Sequence, residues 1–165
     1  MNCISLIGMP GAGKSTIGVL LAKSLGYDFV DTDLLIQVYA RRTLPTIIAE
    51  DGFMALREIE ATVISALQSS NTVIATGGSA VYSAPSMKRL ALLGEIVYLR
   101  ARRVTLQHRI GDFRARGIAA APATTLDQLM AERTPLYERY ATHSVDADQH
   151  SERVVQTVLA ALHKI

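Results

Sequence analysis

The chain has 165 residues, which suits a single domain, and 49% of them are hydrophobic, enough for a substantial core. Its formal net charge is only +2, from 17 basic and 15 acidic residues, so neither nucleic acid nor a membrane surface is indicated as a partner. A single cysteine, Cys3, allows no intrachain disulfide, and no stretch reaches the roughly 18 apolar residues of a membrane span. We therefore expect a cytoplasmic, monomeric protein with one domain over residues 1–165.

The first strong pattern is a glycine-rich segment directly after an apolar run. Residues 3–7 are predicted to form a buried strand, and residues 8–15 match the phosphate-binding pattern G-x-x-x-x-G-K-[S/T]. A helix predicted over residues 14–25 follows, with Gly26 as its stop signal. This order of strand, loop and helix favours a nucleoside triphosphate site over a glycine-rich turn with an ordinary surface lysine.

Each part of this loop has a predicted task. Its glycines let consecutive backbone N–H groups point at a phosphate, and the following helix adds its positive end. Lys14 supplies a mobile charge for the β- and γ-phosphates, and Ser15 offers a hydroxyl oxygen to Mg²⁺. The residues predicted to bind ATP here are Gly11, Ala12, Gly13, Lys14, Ser15 and Thr16.

Short apolar runs alternate with longer segments of helical spacing along the rest of the chain. Further strands are predicted near residues 29–30, 72–75, 95–99 and 144–145. Further helices are predicted over residues 34–40, 44–50, 52–68, 84–92, 104–109, 125–140 and 152–162. This alternation predicts a three-layer α/β/α P-loop domain with a five-stranded parallel sheet, whose ligands gather at the carboxyl ends of the strands.

Two aspartates, Asp31 and Asp33, follow the second predicted strand with one residue between them. Beside a triphosphate, one carboxylate can hold Mg²⁺ through water, while the other accepts a hydrogen bond from a substrate hydroxyl and orients or deprotonates it. The alternative is that Asp33 only caps the helix predicted from Leu34. Capping and catalysis are compatible, and the position after a strand favours at least one functional aspartate.

Two later segments are candidates for the same cleft. Gly77 and Gly78 follow the third strand, where paired glycines allow a ligand to approach backbone N–H groups closely, although a simple tight turn is the alternative. Arg57 lies close to two glutamates on a predicted helix, an arrangement more typical of a solvated, charge-balanced face. Arg57 is therefore a ligand-binding candidate only if the helix turns it into the cleft.

Helical periodicity fails between residues 110 and 124, where small residues are mixed with arginines. A loop of this length without its own structure is usually functional or disordered, and arginines on it can close over a triphosphate. We therefore predict a mobile lid over residues 110–124. A solvated connection with incidental charge is the alternative.

Together these segments resemble the shikimate kinase family, small kinases related in fold to nucleoside monophosphate kinases. The resemblance covers nearly the whole chain and rests on residues 8–15, 29–33, 52–60, 76–78, Arg109 and Arg116 of the lid region, and 132–137. It implies Mg²⁺-dependent transfer of the ATP γ-phosphate to the 3-hydroxyl of shikimate, giving 3-phosphoshikimate and ADP, in aromatic amino acid biosynthesis. It also implies an acceptor-binding helical region over residues 33–61.

On the acceptor side, the resemblance implies a role for each of five residues. Asp33 would bind the hydroxyl that accepts the phosphate. Arg57 and Arg133 would hold the substrate carboxylate through planar, charge-assisted hydrogen bonds. Gly77 and Gly78 would offer backbone N–H donors to the substrate.

On the nucleotide side, the resemblance implies that Asp31 supports Mg²⁺ together with Ser15. Lys14 and Arg116 would stabilise charge on the transferring phosphoryl group, and Arg109 would pack on adenine. Catalysis is thereby assigned to Lys14, Asp33 and Arg116.

Two positions depart from the family pattern. Ser79 stands where a third consecutive glycine is usual, and Gly117 stands where the lid arginine is usually followed by proline, which would fix the backbone more firmly. Neither departure removes a charged group, but both can tune closure or accommodate a related acceptor. Two alternatives therefore stay open: a kinase for gluconate, a nucleoside monophosphate or another polyol acid, and a nucleotide-binding regulatory module without turnover.

Overall fold

Five parallel strands form one sheet at the centre of the structure, a computed structural model that describes residues 2–112 and 115–163. The strands are β1 (Cys3–Ile7), β2 (Asp28–Asp31), β3 (Thr72–Ala75), β4 (Gly94–Arg100) and β5 (His143–Asp146). They lie in the order β2-β3-β1-β4-β5. Phe113 and Arg114 of the predicted lid, and residues 1, 164 and 165 of the predicted domain, lie outside the described residues.

Eight α-helices surround the sheet in the described ranges. They are α1 (Lys14–Leu25), α2 (Thr32–Ala40), α3 (Leu44–Asp51), α4 (Phe53–Ser65), α5 (Ala84–Leu93), α6 (Arg103–Ile110), α7 (Leu126–Tyr140) and α8 (Ser151–Ala161). A short 3₁₀ turn covers Ala80–Tyr82. No described helix is both long and apolar enough to cross a membrane.

The strand order explains the three layers. The connection from β1 to β2 passes over β3 in one direction along the sheet, whereas the connection from β3 to β4 passes over β1 in the other direction. Because such crossovers are right-handed, α1 and α5 lie on opposite faces of the sheet. The last helix, α8, packs beside α1. The predicted three-layer fold with a five-stranded parallel sheet is therefore confirmed.

Burial on both faces accounts for the unbroken apolar runs in the strands. Every residue of β1 is buried, and Leu6 packs in one large core with Ile74 of β3 and Val97 of β4. A second, smaller core lies between α2, α3 and α4, where Ile36, Ile47 and Leu56 pack with Leu44 and with Ala119 from the predicted lid. The smaller core therefore joins the helices after β2 to residues of the lid.

Two predicted helix boundaries are wrong by more than one residue, for local reasons. Helix α2 begins at Thr32 rather than Leu34 because the carboxylate of Asp31 accepts a hydrogen bond from the N–H of Asp33 at 3.0 Å and caps the helix. Helix α4 ends at Ser65 rather than Gln68, because the chain tightens there: the N–H of Leu67 bonds to the carbonyl of Ile64 and its side chain enters the core.

The start of β4 offers a test of how closely the central strands pack. A Cβ placed on Gly94 would lie within 2.8 Å of the backbone C and N atoms of Cys3, which cannot move without disturbing β1. Replacing Gly94 with Ala is therefore expected to lower the free energy of unfolding by about 1–3 kcal/mol, or more, because of overpacking. The measurement is urea or thermal unfolding followed by circular dichroism.

Gly26 provides the matched control. It has a φ of 66° at the end of α1, and no atom lies within 4 Å of the position that a Cβ would take, so Gly26→Ala introduces backbone strain without a clash. That strain costs about 1 kcal/mol. A Gly94→Ala variant no less stable than Gly26→Ala would contradict the packing argument.

Candidate active site

The loop after β1 has the backbone of a phosphate cradle. Gly11 and Gly13 have φ values of 82° and 94°, in the left-handed region that favours glycine. Gly13 precedes α1, and among the described residues no side chain caps the helix or adds an acidic group to its first turn. The positive end of α1 is therefore directed at the loop, where an anion can accept its N–H groups.

Lys14 lies folded along the base of this loop. Its side chain is buried, and its Nζ donates to the carbonyls of Gly8 and Met9 at 2.8 and 2.9 Å. Burial lowers the pKa of Lys14 to about 8, although Asp33 opposes the shift. The lysine is thus a cation in an environment that provides little solvation for its charge, and a phosphate would restore that solvation.

Ser15 and Asp31 form a pair of hard oxygen ligands beside the loop. The Ser15 hydroxyl donates to Asp31 Oδ2 at 2.6 Å, while Asp31 Oδ1 caps α2. The helix cap is therefore Asp31, and the alternative that Asp33 caps this helix is wrong. The described residues contain no cluster of three or more metal-binding side chains. A hydroxyl and a carboxylate nevertheless fit Mg²⁺, which usually retains several waters.

A cavity of about 560 Å³ joins this loop to the residues that follow β2 and β3. The predicted site residues that line it are Gly11, Ala12, Gly13, Lys14, Ser15, Thr16, Asp33, Gly77, Gly78, Arg109, Arg116 and Arg133. Arg57 lines a smaller cavity of about 190 Å³, which shares Glu60 and Ser79 with the larger one. Asp31 reaches the site through its hydrogen bond to Ser15.

Asp33 lies in the cavity with little access to water. Burial is the main reason that its pKa is raised to about 6, and the neighbouring charge of Asp31 adds to the shift. The loop after β3 packs closely here, since a Cβ on Gly77 would lie 3.1 Å from Asp33 Oδ1. The Gly77 N–H already donates to the Thr32 hydroxyl at 3.0 Å. Gly78 is therefore the better candidate for a backbone N–H that can bind a ligand.

Arg57 of the smaller cavity and Arg133 of the larger one come together at the Ala119 carbonyl. Arg133 is 1% exposed, and the Nη2 atoms of both arginines donate to the carbonyl of Ala119 at 2.9 Å. Both guanidinium groups also face the ring of Tyr82, that of Arg57 at 3.9 Å from the ring centroid. The hydrogen bonds described for the two arginines include no carboxylate partner. Two guanidinium groups that share one neutral carbonyl oxygen make a candidate site for an anion.

The residues of the lid region on both sides of the undescribed pair lie close to the site. Arg109 donates to the carbonyl of Gly11 at 3.3 Å, and Arg116 is exposed at the cavity wall. Gly117 has a φ of 65°, and a Cβ on it would lie 2.6 Å from Leu44 Cβ. The glycine in place of proline therefore permits a close contact with the start of α3, rather than only loosening the backbone.

Comparison with known proteins agrees with this geometry. The family model of shikimate kinase matches residues 10–163. The shikimate kinase 2 of Yersinia enterocolitica is 35% identical over 96% of this chain and 94% of its own length. The chain belongs to the shikimate kinase family.

Solved structures of family members have the same fold. The shikimate kinase of Acinetobacter baumannii, in complex with shikimate, has a TM-score of 0.86 and 29% identity, covering 99% of this chain and 93% of that one. The shikimate kinase of Aquifex aeolicus has a TM-score of 0.85 and 29% identity, covering 98% of this chain and 96% of that one. As a shikimate kinase family member, the chain is an ATP-dependent kinase, and the expectation of a small-molecule kinase is confirmed.

Sequence reasoning missed residues that lie beside the predicted site residues. Glu60 is 3% exposed, which overturns the solvated-face alternative for that side of α4. A signal was present, because Leu56, Glu60 and Ile64 repeat at a spacing of four and all are buried. Tyr82 and the Ala119 carbonyl gave no such signal, since their roles come from contacts between segments distant in sequence.

The shifted pKa values predict a bell-shaped pH dependence of kcat/KM for ATP. Activity is expected to fall below about pH 6, as the Asp33 carboxylate is protonated, and above about pH 8, as Lys14 loses its charge. In the profile of kcat at saturating ATP, the alkaline limb should move upward, because bound phosphates favour the charged lysine. Steady-state kinetics in overlapping buffers measure both profiles. A kcat/KM that stays flat through both values would contradict these assignments.

Proposed function

We propose that the chain transfers the γ-phosphate of ATP to the 3-hydroxyl of shikimate, giving 3-phosphoshikimate and ADP, with Mg²⁺ as cofactor. The main support is that one cavity connects the phosphate loop, the carboxylate of Asp33 and Arg133, and that Arg133 shares the Ala119 carbonyl with Arg57 of the adjoining smaller cavity. A donor phosphate, an accepting hydroxyl and a carboxylate on the same small molecule would occupy these three places in order.

On the donor side, the loop N–H groups from Gly11 to Thr16 would hold the phosphates. Lys14 would exchange the carbonyls of Gly8 and Met9 for phosphate oxygens, a change that its buried position favours. Arg109 would pack on the adenine. Ser15 and Asp31 would hold Mg²⁺, which supplies charge neutralisation to the phosphates when bound.

On the acceptor side, Asp33 would receive the hydrogen bond of the reacting hydroxyl. Its raised pKa keeps it a stronger base than a solvated carboxylate, so it can take the hydroxyl proton as the oxygen attacks phosphorus. Arg57 and Arg133 would hold the carboxylate, with one of its oxygens in the place that the Ala119 carbonyl takes among their donors. Gly78 would add a backbone donor.

The region over residues 110–124 would act as the lid within a single domain. Ile118 and Ala119 are buried, and Ala119 packs in the small core with α2, α3 and α4, which supports closure over the acceptor region at residues 33–61. Arg116 would then stabilise the transferring phosphoryl group, and water would be excluded from it. A monomeric enzyme of the cytoplasm, without nucleic-acid or membrane partners, completes the proposal, supported by the small net charge and single cysteine.

A kinase assay with a panel of acceptors tests this function directly. Purified protein with Mg·ATP is expected to release ADP with shikimate and not with gluconate or a nucleoside monophosphate, and phosphorus NMR identifies the product. Shikimate-independent ADP release, or preference for another acceptor, would overturn the proposal. ATP binding in calorimetry without turnover on any acceptor would instead favour a regulatory module.

Replacing Arg57 with Ala is expected to weaken acceptor binding more than it lowers kcat. Breaking a charge pair costs about 2–5 kcal/mol, and the partial exposure of Arg57 places the loss near 2 kcal/mol, or about 30-fold in KM for shikimate. Arg57→Lys should give an intermediate KM because it keeps the charge but loses the planar fork.

Arg89→Ala is the matched control for this change. Arg89 is also partly buried and also donates to a backbone carbonyl, that of Leu67 at 2.6 Å, but it is not part of the cavity wall described above. We expect Arg89→Ala to lower stability without a change in KM for shikimate. If Arg57→Ala leaves the KM unchanged, or if Arg89→Ala raises it equally, the assignment of Arg57 is wrong.

A further inference from the structure

Glu60 and Ser79 form a buried pair that the proposed mechanism does not use. Glu60 projects from the apolar face of α4 and Ser79 follows the glycines after β3, and both side chains line the cavity that holds Asp33. The Ser79 hydroxyl donates a hydrogen bond to Glu60 Oε2. The serine that replaces the usual third glycine therefore has a defined partner.

The second carboxyl oxygen of Glu60 has no such hydrogen-bond partner among the described residues. Glu60 Oε1 is buried and has no hydrogen-bond partner in the described structure. It lies against Gly77 Cα, since a Cβ there would clash with it, and the same Cβ would be 3.1 Å from Asp33 Oδ1. The unpaired oxygen of Glu60 and the carboxylate of Asp33 thus border the same glycine at the same end of the cavity.

A buried polar atom without a partner costs free energy, so such an atom in a ligand cavity is a candidate contact for the ligand. Burial raises the pKa of Glu60 to about 7, with Asp33 adding to the shift while Ser79, Arg133 and Lys14 oppose it. A ligand hydroxyl suits either protonation state, because it can donate to a carboxylate or accept from a carboxylic acid. A ligand methylene can do neither.

We propose that Ser79 is a specificity-determining positioning residue, which holds Glu60 so that Oε1 contacts the acceptor hydroxyl next to the one that Asp33 binds. In shikimate this is the 4-hydroxyl, vicinal to the reacting 3-hydroxyl. The inference rests on the proposed function, because it takes Asp33 as the residue that binds the reacting hydroxyl. Ser79 itself acts only through Glu60.

The alternative is that Ser79 merely satisfies a buried glutamate. The two roles differ in what happens when the hydroxyl of Ser79 is removed. If Ser79 positions Glu60 for the acceptor, its loss affects only acceptors that carry the 4-hydroxyl. If it is only structural, its loss affects every acceptor alike.

The experiment is a double-mutant cycle between protein and substrate, with full-length enzyme and Mg·ATP. Wild type, Ser79→Ala and Ser79→Gly are assayed with shikimate, 4-deoxyshikimate and 5-deoxyshikimate, and Ser79→Thr serves as the conservative variant. Thermal unfolding shows which variants are folded, and the glycine variant carries the usual family residue. Ser83→Ala is the control, because it removes a nearby hydroxyl that caps α5.

For wild type we expect the KM for 4-deoxyshikimate to be about tenfold above that for shikimate, with a smaller change in kcat, as for loss of one charge-assisted hydrogen bond. Both Ser79 variants should raise the KM for shikimate and for 5-deoxyshikimate several-fold but leave that for 4-deoxyshikimate unchanged. Ser79→Thr should restore the wild-type discrimination, and Ser83→Ala should not alter it.

Equal shifts of KM for all three acceptors, or no shift with any, would overturn the role of Ser79 while leaving the proposed function intact. Wild-type enzyme that turns over none of the three acceptors would overturn both. The wild-type reactions therefore separate failure of the proposed function from failure of this inference.

Discussion

Because β1 lies between β3 and β4, the chain leaves β1 toward one face of the sheet and leaves β3 toward the other. Neighbouring parallel strands whose connections diverge leave a crevice at their carboxyl ends, which is where ligands bind in open α/β sheets. The phosphate loop enters this crevice from β1, and Gly77 and Gly78 enter it from β3. The pairing of β2 with β3 then brings Asp31 and Asp33 to the same edge. Strand order thus assembles a site from segments that are far apart in sequence.

This crevice concentrates charge where little water can reach it. Four charged residues line one cavity: Lys14, Asp33, Glu60 and Arg133. Burial lowers the pKa of Lys14 and raises the pKa values of Asp33 and Glu60, so in each case it favours the uncharged form. Each shift means that the folded protein solvates the charge less well than water does. Ligand groups of complementary charge would supply the missing solvation. Burial of these charged groups thus costs free energy in folding, and ligand binding would offset that cost. Burial of the apolar core around β1, in contrast, stabilises the fold itself.

The sequence predicts the fold well because its signals are local. The continuous apolar strands, the glycine-rich loop and the caps each lie within a few residues, so the element order follows from periodicity and the layers follow from handedness. The site is predicted less fully. Lys14 and Ser15 are candidates because they belong to a short local pattern, and Asp33 is one because it follows a predicted strand. Glu60, by contrast, faces inward because α4 packs against α2, α3 and α5 and lies beside the loop after β3. The helical spacing of buried residues on α4 was the sequence signal for Glu60. No sequence signal indicated Tyr82 or the Ala119 carbonyl, because their positions depend on contacts between segments that are distant in sequence.

Ala119, in the predicted lid, contacts both arginines of the proposed acceptor site and the small core. Its oxygen accepts from both Arg57 and Arg133, while its side chain packs in the small core with Ile36 and Leu56. Under the proposed function, a substrate carboxylate draws on the same guanidinium donors. A charged carboxylate is a stronger acceptor than a carbonyl, so binding must either redistribute the donors between the two or shift residue 119. A shift of residue 119 would also change its packing in the small core. Under the proposed function, thermodynamic linkage would then couple acceptor affinity to the position of residue 119.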